Sequence, residues 1–158
     1  MLRISKFTDY GTVILALMAH NPASTHSAAS VTRQVGLPGS TVSKLLKMMS
    51  RSGLLTSCRG KQGGYTLAKA PQEISLAEVI EALEGPIGIT ECSRQNGLCQ
   101  VESHCAIRRQ WQGVNGVIHN ALQQVSLATL MHPPAVTEAE AIDTSAHKEP
   151  CTTQRISV

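Results

Sequence analysis

Aromatic residues are scarce in this chain of 158 residues and make up only 3% of its composition. The four are Phe7, Tyr10, Tyr65 and Trp111. Single-stranded nucleic acids bind to platforms of exposed aromatic rings, so that mode of binding is disfavoured. No run of about 18 apolar residues occurs, so a membrane-spanning helix is not predicted. The first residues also lack the apolar segment of a secretory signal, and we therefore expect a cytoplasmic protein with reduced thiols.

A disulfide framework is disfavoured, because the chain has five cysteines, an odd number. The chain also lacks a Cys-x-x-Cys motif. Three, Cys92, Cys99 and Cys105, lie in one short polar segment without helical or strand periodicity. Three thiolates brought together by a loop can bind a soft metal ion or a cluster. The alternative is that they are free cysteines in a flexible loop. Cys58 is predicted to be a small core residue instead.

Acidic residues are almost absent from the first part of the chain. Residues 1–70 carry nine Lys or Arg and one acid, Asp9, which gives a net charge of +8, whereas residues 71–158 carry five basic and ten acidic residues. A basic block that also shows core periodicity is a folded basic domain, and its usual partner is a polyanion. With single strands disfavoured, duplex DNA is the better candidate. The alternative is a solvated basic surface without a ligand.

Apolar periodicity predicts three helices in this basic block. The first runs from Lys6 to His20, and a second, shorter helix is capped by Ser27 and stopped by Gly36. A tight connection over residues 37–40 leads to a third helix with an N-cap at or near Ser40. Two short helices joined by such a turn, the second basic on its outer face, are typical of a helix-turn-helix. Ser43, Lys44, Lys47 and Arg51 point away from the apolar face of this recognition helix.

A β-hairpin is predicted directly after the recognition helix. Residues 54–58 and 65–68 read as strands, and a Gly-rich turn lies between them. A hairpin at this position is the wing of a winged helix. Arg59 and Lys61 in the turn can neutralise phosphate or enter the minor groove. The predicted fold is therefore mainly α, with a winged helix-turn-helix domain over residues 1–85.

The C-terminal half contains a capping box at Ser75 and Glu78, then the cysteine loop over residues 86–105, and then a long helix over residues 106–131. Apolar residues recur along this helix at spacings of four and three, as in a heptad seam. Such a stripe favours a two-fold dimer, because a solitary helix gains little from it. The alternative is packing against its own domain. Residues 132–158 lack periodicity and are predicted to be disordered, Cys151 included.

Four features in this order, across about residues 1–131, resemble the Rrf2 family of bacterial winged-helix regulators. They are the run Lys6-Phe7-Thr8-Asp9-Tyr10, the segment from Ser40 to Tyr65 that ends in Arg-Gly-Lys-Gln-Gly-Gly-Tyr, the phrase Glu-Ala-Leu-Glu-Gly-Pro at residues 81–86, and three cysteines before a long helix. Within that family, residues 81–92 are most similar to the regulators of the Suf iron-sulfur assembly operon. The resemblance implies a homodimeric transcription factor, a repressor of those genes, and not an enzyme.

The resemblance implies that DNA is contacted by the wing residue Arg59 and by five residues of the recognition helix, which are Ser40, Thr41, Ser43, Lys44 and Lys47. It also implies that Cys92, Cys99 and Cys105 ligate an iron-sulfur cluster, 2Fe-2S or 4Fe-4S. The Isc-operon regulators carry a histidine ligand where this chain has Arg108, and an acid in the recognition helix where Ser43 stands. The fourth ligand is therefore open. Asp9, which would reach the cluster of the partner subunit as in the nitric-oxide-sensing branch of the family, is favoured over His104. A nitric-oxide-sensing repressor and a zinc-stapled DNA binder without sensing are the alternatives.

Overall fold

The computed structural model describes residues 4–60, 63–94, 99–100 and 104–132. Three sequence predictions fall outside these ranges: the DNA contact at Lys61, the disordered tail beyond residue 132, and Cys151. Within the described part, the chain forms seven α-helices, a 3-10 turn and one antiparallel pair of strands. The same part contains no helix that is long and apolar enough to cross a membrane.

The three predicted N-terminal helices are present as α1 (Lys6–Ala19), α2 (Ala28–Val35) and α3 (Gly39–Arg51). Helix α2 is capped as predicted: Ser27 accepts a hydrogen bond from the Ser30 N–H, and Gly36 ends the helix at a positive φ of 69°. The N-cap of α3, predicted at or near Ser40, is Pro38, two residues before Ser40, and no side chain caps the helix. Pro38 has no N–H, so it stands before the first helical turn without leaving a backbone donor unpaired.

The wing is the antiparallel hairpin of β1 (Leu55–Cys58) and β2 (Gly64–Leu67). His26, just before α2, pairs with Tyr65 through two backbone hydrogen bonds of 2.8 and 2.9 Å and extends the sheet at its edge. Gly64 is required at this junction, because a Cβ there would lie 2.5 Å from the His26 carbonyl oxygen. The prediction of a mainly α fold with a winged helix-turn-helix is confirmed.

A 3-10 turn (Pro71–Glu73) follows the wing and leads into α4 (Leu76–Glu84). The predicted capping box is confirmed: Ser75 Oγ accepts from the Glu78 N–H at 3.2 Å, and Glu78 Oε2 accepts from the Ser75 N–H at 3.0 Å. The short helix α5 (Glu91–Arg94) lies in the cysteine loop.

The predicted helix over residues 106–131 is interrupted. It forms α6 (Arg108–Gln124) and α7 (Leu127–Met131), separated by an extended Val125. The break arises from pairing with the segment before α4: the Leu76 N–H donates to the Val125 carbonyl, and the Leu127 N–H donates to the Ile74 carbonyl, both at 2.8 Å. Ser126 then caps α7, which returns to the winged-helix domain and buries Leu127.

The core lies between α1, α3, α4 and α7 and is continuous through the winged-helix domain. Its fully buried side chains include Ile14, Leu15, Met18, Val31, Val42, Leu45, Leu46, Met49, Ile74 and Leu127. Cys58 does not belong to it, and the prediction that it is a core residue is wrong. Of the strand β1 only Leu55 is buried, because the two-stranded wing is covered near its base and not further along.

Candidate DNA-binding face and cysteine loop

The recognition helix α3 turns one face into the core and the other outward. Val42, Leu45, Leu46 and Met49 are completely buried, which determines the direction of every other side chain on the helix. Of the predicted DNA contacts, Ser40, Lys44 and Lys47 are exposed, whereas Thr41 and Ser43 are half-buried. The structure therefore exposes two lysines and one hydroxyl of this helix to solvent, and two more hydroxyls are partly exposed.

Lys44 is held by a neighbour from α1. Its ammonium nitrogen lies 4.7 Å from the centroid of the Phe7 ring, which is the geometry of a cation–π contact. Such a contact on an exposed surface stabilises by about 0.5–1 kcal/mol. It limits the positions that the lysine can take while leaving its N–H groups available as donors. The first turn of α1 therefore supports the recognition helix.

Arg59 is exposed at the end of β1, where the wing begins its turn. Together with Lys44 and Lys47 it places three cations on the helix-turn-helix and its wing. This arrangement is typical of winged-helix proteins that bind duplex DNA, in which the recognition helix enters the major groove and cations contact the phosphates.

The first turn of α1 is also bonded to the end of α4. The Glu84 carboxylate accepts from the Ser5 N–H at 3.0 Å and from the buried Thr8 hydroxyl. Ser5 is the N-cap of α1, and Asp9 follows in the first turn with its side chain exposed. An acid at this position is favoured by the helix dipole. Glu84 thus links the first turn of α1, which carries Asp9, to the end of α4, just before the cysteine loop begins.

The three loop cysteines occupy different environments. Cys92 is in α5 and is 8% exposed, and its sulfur lies 3.3 Å from the Thr90 hydroxyl oxygen. Cys99 and Cys105 are half-buried, the latter just before α6. No disulfide joins any of the four described cysteines. His104, the rival fourth ligand, is exposed.

The donor set fits an iron-sulfur cluster in its chemistry, because thiolates are the ligands that these clusters take from proteins. The geometry in the described ranges does not assemble a site: no three Cys, His, Asp or Glu side chains there lie close enough together to hold a metal ion. Residues 95–98 and 101–103, which connect the cysteines, lie outside those ranges.

Asn115 of α6 contacts the start of the cysteine loop, a contact that the sequence did not predict. Its Oδ1 accepts from the Ile89 N–H at 3.2 Å, and its Nδ2 donates to the Ile87 carbonyl at 3.1 Å. One turn later, His119 Nε2 lies 3.3 Å from the Glu81 carboxylate of α4. These contacts define the inner face of α6. The only signal in the sequence is an amide side chain next to the apolar seam.

The outer face of α6 carries an exposed apolar stripe. Ile107, Trp111 and Val114 of the predicted seam are 55%, 39% and 46% exposed, and Val117 beside them is 70% exposed. No residue of α6 is fully buried. Large exposed apolar patches on proteins are typical of interaction surfaces. The alternative was that the seam packs against its own domain. Ile118 of the seam is half-buried within the chain, in agreement with that alternative at this one position.

Comparison with known proteins agrees with this architecture. The family model described as "Rrf2: Iron-dependent Transcriptional regulator" matches residues 4–133. The protein rrf2 of Nitratidesulfovibrio vulgaris is 26% identical over 147 residues, which cover 92% of this chain and 98% of that protein.

Two solved structures share the fold. CymR (YrzC), described as the global cysteine regulator of B. subtilis, has a TM-score of 0.64 and 27% identity over 83% of this chain and 97% of its own. IscR of T. potens has a TM-score of 0.60 and 25% identity over 82% of this chain and 86% of its own.

Proposed function

The chain belongs to the Rrf2 family of transcriptional regulators, and we propose that within this family it is a dimeric cytoplasmic repressor that senses iron-sulfur cluster status and controls Suf iron-sulfur assembly genes. The family consists of DNA-binding regulators and not of enzymes. The observation that carries the sensing part is the position of Cys92, Cys99 and Cys105, between the end of the winged-helix domain and the helix that bears the exposed apolar stripe.

The cluster would be held by these three thiolates, with Asp9 of the partner subunit as the fourth ligand. When bound, it supplies soft cationic centres that keep the thiols deprotonated and that respond to iron, oxygen or nitric oxide. Asp9 is exposed and therefore accessible to a second subunit, as this role requires. The relationship to a family model described as iron-dependent, and to IscR, supports an iron-containing cofactor over zinc.

DNA binding would depend on the distance between two recognition helices. In a two-fold dimer, the two copies of α3 must enter successive major grooves about 34 Å apart. The stripe on α6 provides the surface through which the two copies associate, and the cysteine loop joins α6 to the winged-helix domain. A change in the loop would therefore alter the position of one DNA-binding domain relative to the other.

The first experiment is anaerobic purification, followed by an absorbance spectrum, iron and sulfide counts, and operator binding with and without the chromophore. We expect a brown protein whose affinity for the operator changes when the cluster is lost. A protein that stays colourless after reconstitution with iron and sulfide, and that binds DNA with zinc or with no metal, would contradict cluster sensing and leave a winged-helix DNA binder.

The fourth ligand is tested by Asp9→Ala. We expect the variant to fold normally without a cluster and to lose the cluster faster than the wild type, because one ligand is missing. Glu91→Ala is the matched control, since this exposed carboxylate lies next to Cys92 but is not a proposed ligand. An unchanged cluster lifetime in Asp9→Ala would remove Asp9 from the ligand set and leave His104 as the candidate.

A second candidate function is a regulator that responds through its cysteines without a cluster. One observation favours it: no three Cys, His, Asp or Glu side chains in the described ranges lie close enough together to hold a metal ion. This candidate predicts a colourless protein whose operator affinity changes with thiol oxidation. The spectrum and the iron count separate it from the cluster-sensing repressor, including a nitric-oxide-sensing one.

A further inference from the structure

The side chain of Asn115 on α6 makes two hydrogen bonds to the segment between Glu84 and Cys92. The two hydrogen bonds of this amide end on residues that are two apart in the chain, since its acceptor takes the Ile89 N–H and its donor reaches the Ile87 carbonyl. Residues 85–90 are in neither helix nor strand. The Ile89 N–H and the Ile87 carbonyl have no partner in a helix or strand, and the Asn115 amide pairs with both of them. A neighbouring β-strand would pair with such backbone groups in the same way.

We propose that Asn115 is a positioning residue that fixes the cysteine segment to helix α6. Cys92 lies three residues beyond Ile89, in a helix that packs on α6, and it is 8% exposed. The burial of Cys92 thus depends on the same docking that the Asn115 amide holds. The regulatory role of this docking rests on the proposed function, in which Cys92 is a cluster ligand and α6 is the dimer helix. In that case the Asn115 amide connects a ligand segment to the dimer helix.

Chemistry and shape can be separated at this position. Aspartate has the shape of asparagine and keeps the acceptor facing the Ile89 N–H. It loses the donor and places a carboxylate oxygen against the Ile87 carbonyl, where the two acceptors repel. A residue that only filled space would tolerate Asn115→Asp, whereas a residue that acts through both hydrogen bonds would not. Asn120→Ala is the matched control, because Asn120 is exposed on the same helix.

The test measures alkylation of each cysteine in reduced, cluster-free protein at pH 8, by peptide mass spectrometry after timed treatment with iodoacetamide. Cys58 is exposed in the wing and serves as the internal reference in every sample. We expect Cys92 to react about tenfold faster in Asn115→Ala than in the wild type, because the docked segment loses both hydrogen bonds. In Asn115→Asp, which loses one hydrogen bond and gains a repulsion, Cys92 should react at least as fast as in Asn115→Ala. Cys58 should react at the wild-type rate in both variants, as should Cys92 in Asn120→Ala.

If Cys92 reacts at the wild-type rate in Asn115→Ala, the proposal is overturned. If it reacts at the wild-type rate in Asn115→Asp, the proposal is also overturned, because Asn115 would then act only by filling space. A loss of the far-ultraviolet circular-dichroism signal in Asn115→Ala under the assay conditions would indicate global unfolding as the cause of faster Cys92 alkylation and would also contradict a positioning role. Because the measurement uses cluster-free protein, a wild type that takes up no cluster would refute the proposed function while the alkylation rates still decide the role of Asn115. In loaded protein, the proposal predicts a shorter cluster lifetime for both Asn115 variants.

Discussion

Removing one of the exposed cations Lys47 and Arg59 should change the salt dependence of operator binding by a predictable amount. The logarithm of the binding constant falls with the logarithm of the salt concentration with a slope of about −0.9 for each phosphate that is neutralised. In a two-fold dimer each substitution removes two such contacts, so Lys47→Ala and Arg59→Ala should each make the slope shallower by about 1.8. The ratio of wild-type affinity to variant affinity should therefore be about tenfold smaller at 200 mM salt than at 50 mM salt.

The assay is fluorescence anisotropy with a labelled operator at four or more salt concentrations. Lys69→Ala is the matched control, because the Lys69 ammonium pairs with the Glu78 carboxylate at 2.6 Å, outside the recognition helix and the wing. Its slope should equal that of the wild type. A change of about 0.9 for Lys47→Ala would indicate one contact per complex and would refute two-fold docking. Unchanged slopes in Lys47→Ala and Arg59→Ala would refute the docking face itself.

Three further predictions concern stability and the wing. The Lys69 ammonium and the Ser75 N–H lower the pKa of Glu78 below its ordinary value of 4.5, so its stabilising effect is complete above that pH and is lost as the pH falls through the lower value. Glu78→Gln should therefore flatten the decline of melting temperature on the acid side. Leu127→Ala should lower the free energy of unfolding by about 2–5 kcal/mol in urea, whereas Leu130→Ala, at a position 40% exposed, should change it by less than about 0.5 kcal/mol. Gly64→Ala should weaken operator binding about tenfold or more, equivalent to about 1.4 kcal/mol, because its Cβ meets the His26 carbonyl. Gly113→Ala, which has open space around it, should not.

The features that the sequence predicted correctly have local causes. The helical periodicity of α1 to α4, the caps at Ser27 and Ser75, and the stop at Gly36 each depend on residues within one or two turns of each other. The wing follows from two short strands around a glycine-rich turn, which also act over a few residues. The outward direction of Lys44 and Lys47 follows from the apolar positions between them. Structural features with such local causes can be predicted from a single amino-acid sequence.

The features that were missed have causes far away in the sequence. The break at Val125 results from pairing with residues 74–76, and nothing in the apolar repeat reveals that partner. Cys58 is exposed because the two-stranded wing is covered only at its base, although its place in a strand predicted a core residue. Asn115 bonds to residues 26 and 28 positions earlier. The ligand set stays a prediction, because the described ranges do not bring the cysteines together.

The long-range polar contacts connect the DNA-binding face to the cysteine loop. Phe7 and Thr8 are neighbours in the first turn of α1, and they contact Lys44 of the recognition helix and Glu84 at the end of α4. From Glu84 the chain continues to the segment that Asn115 holds on α6. An effector that changes operator affinity by 5- to 150-fold needs a coupling free energy of only about 1–3 kcal/mol. Each hydrogen bond contributes about 0.5–1.5 kcal/mol, and those to charged groups about 1.5–3 kcal/mol. A cofactor that made or broke two or three of these contacts would therefore supply the coupling that a regulator needs, without any change in the apolar core.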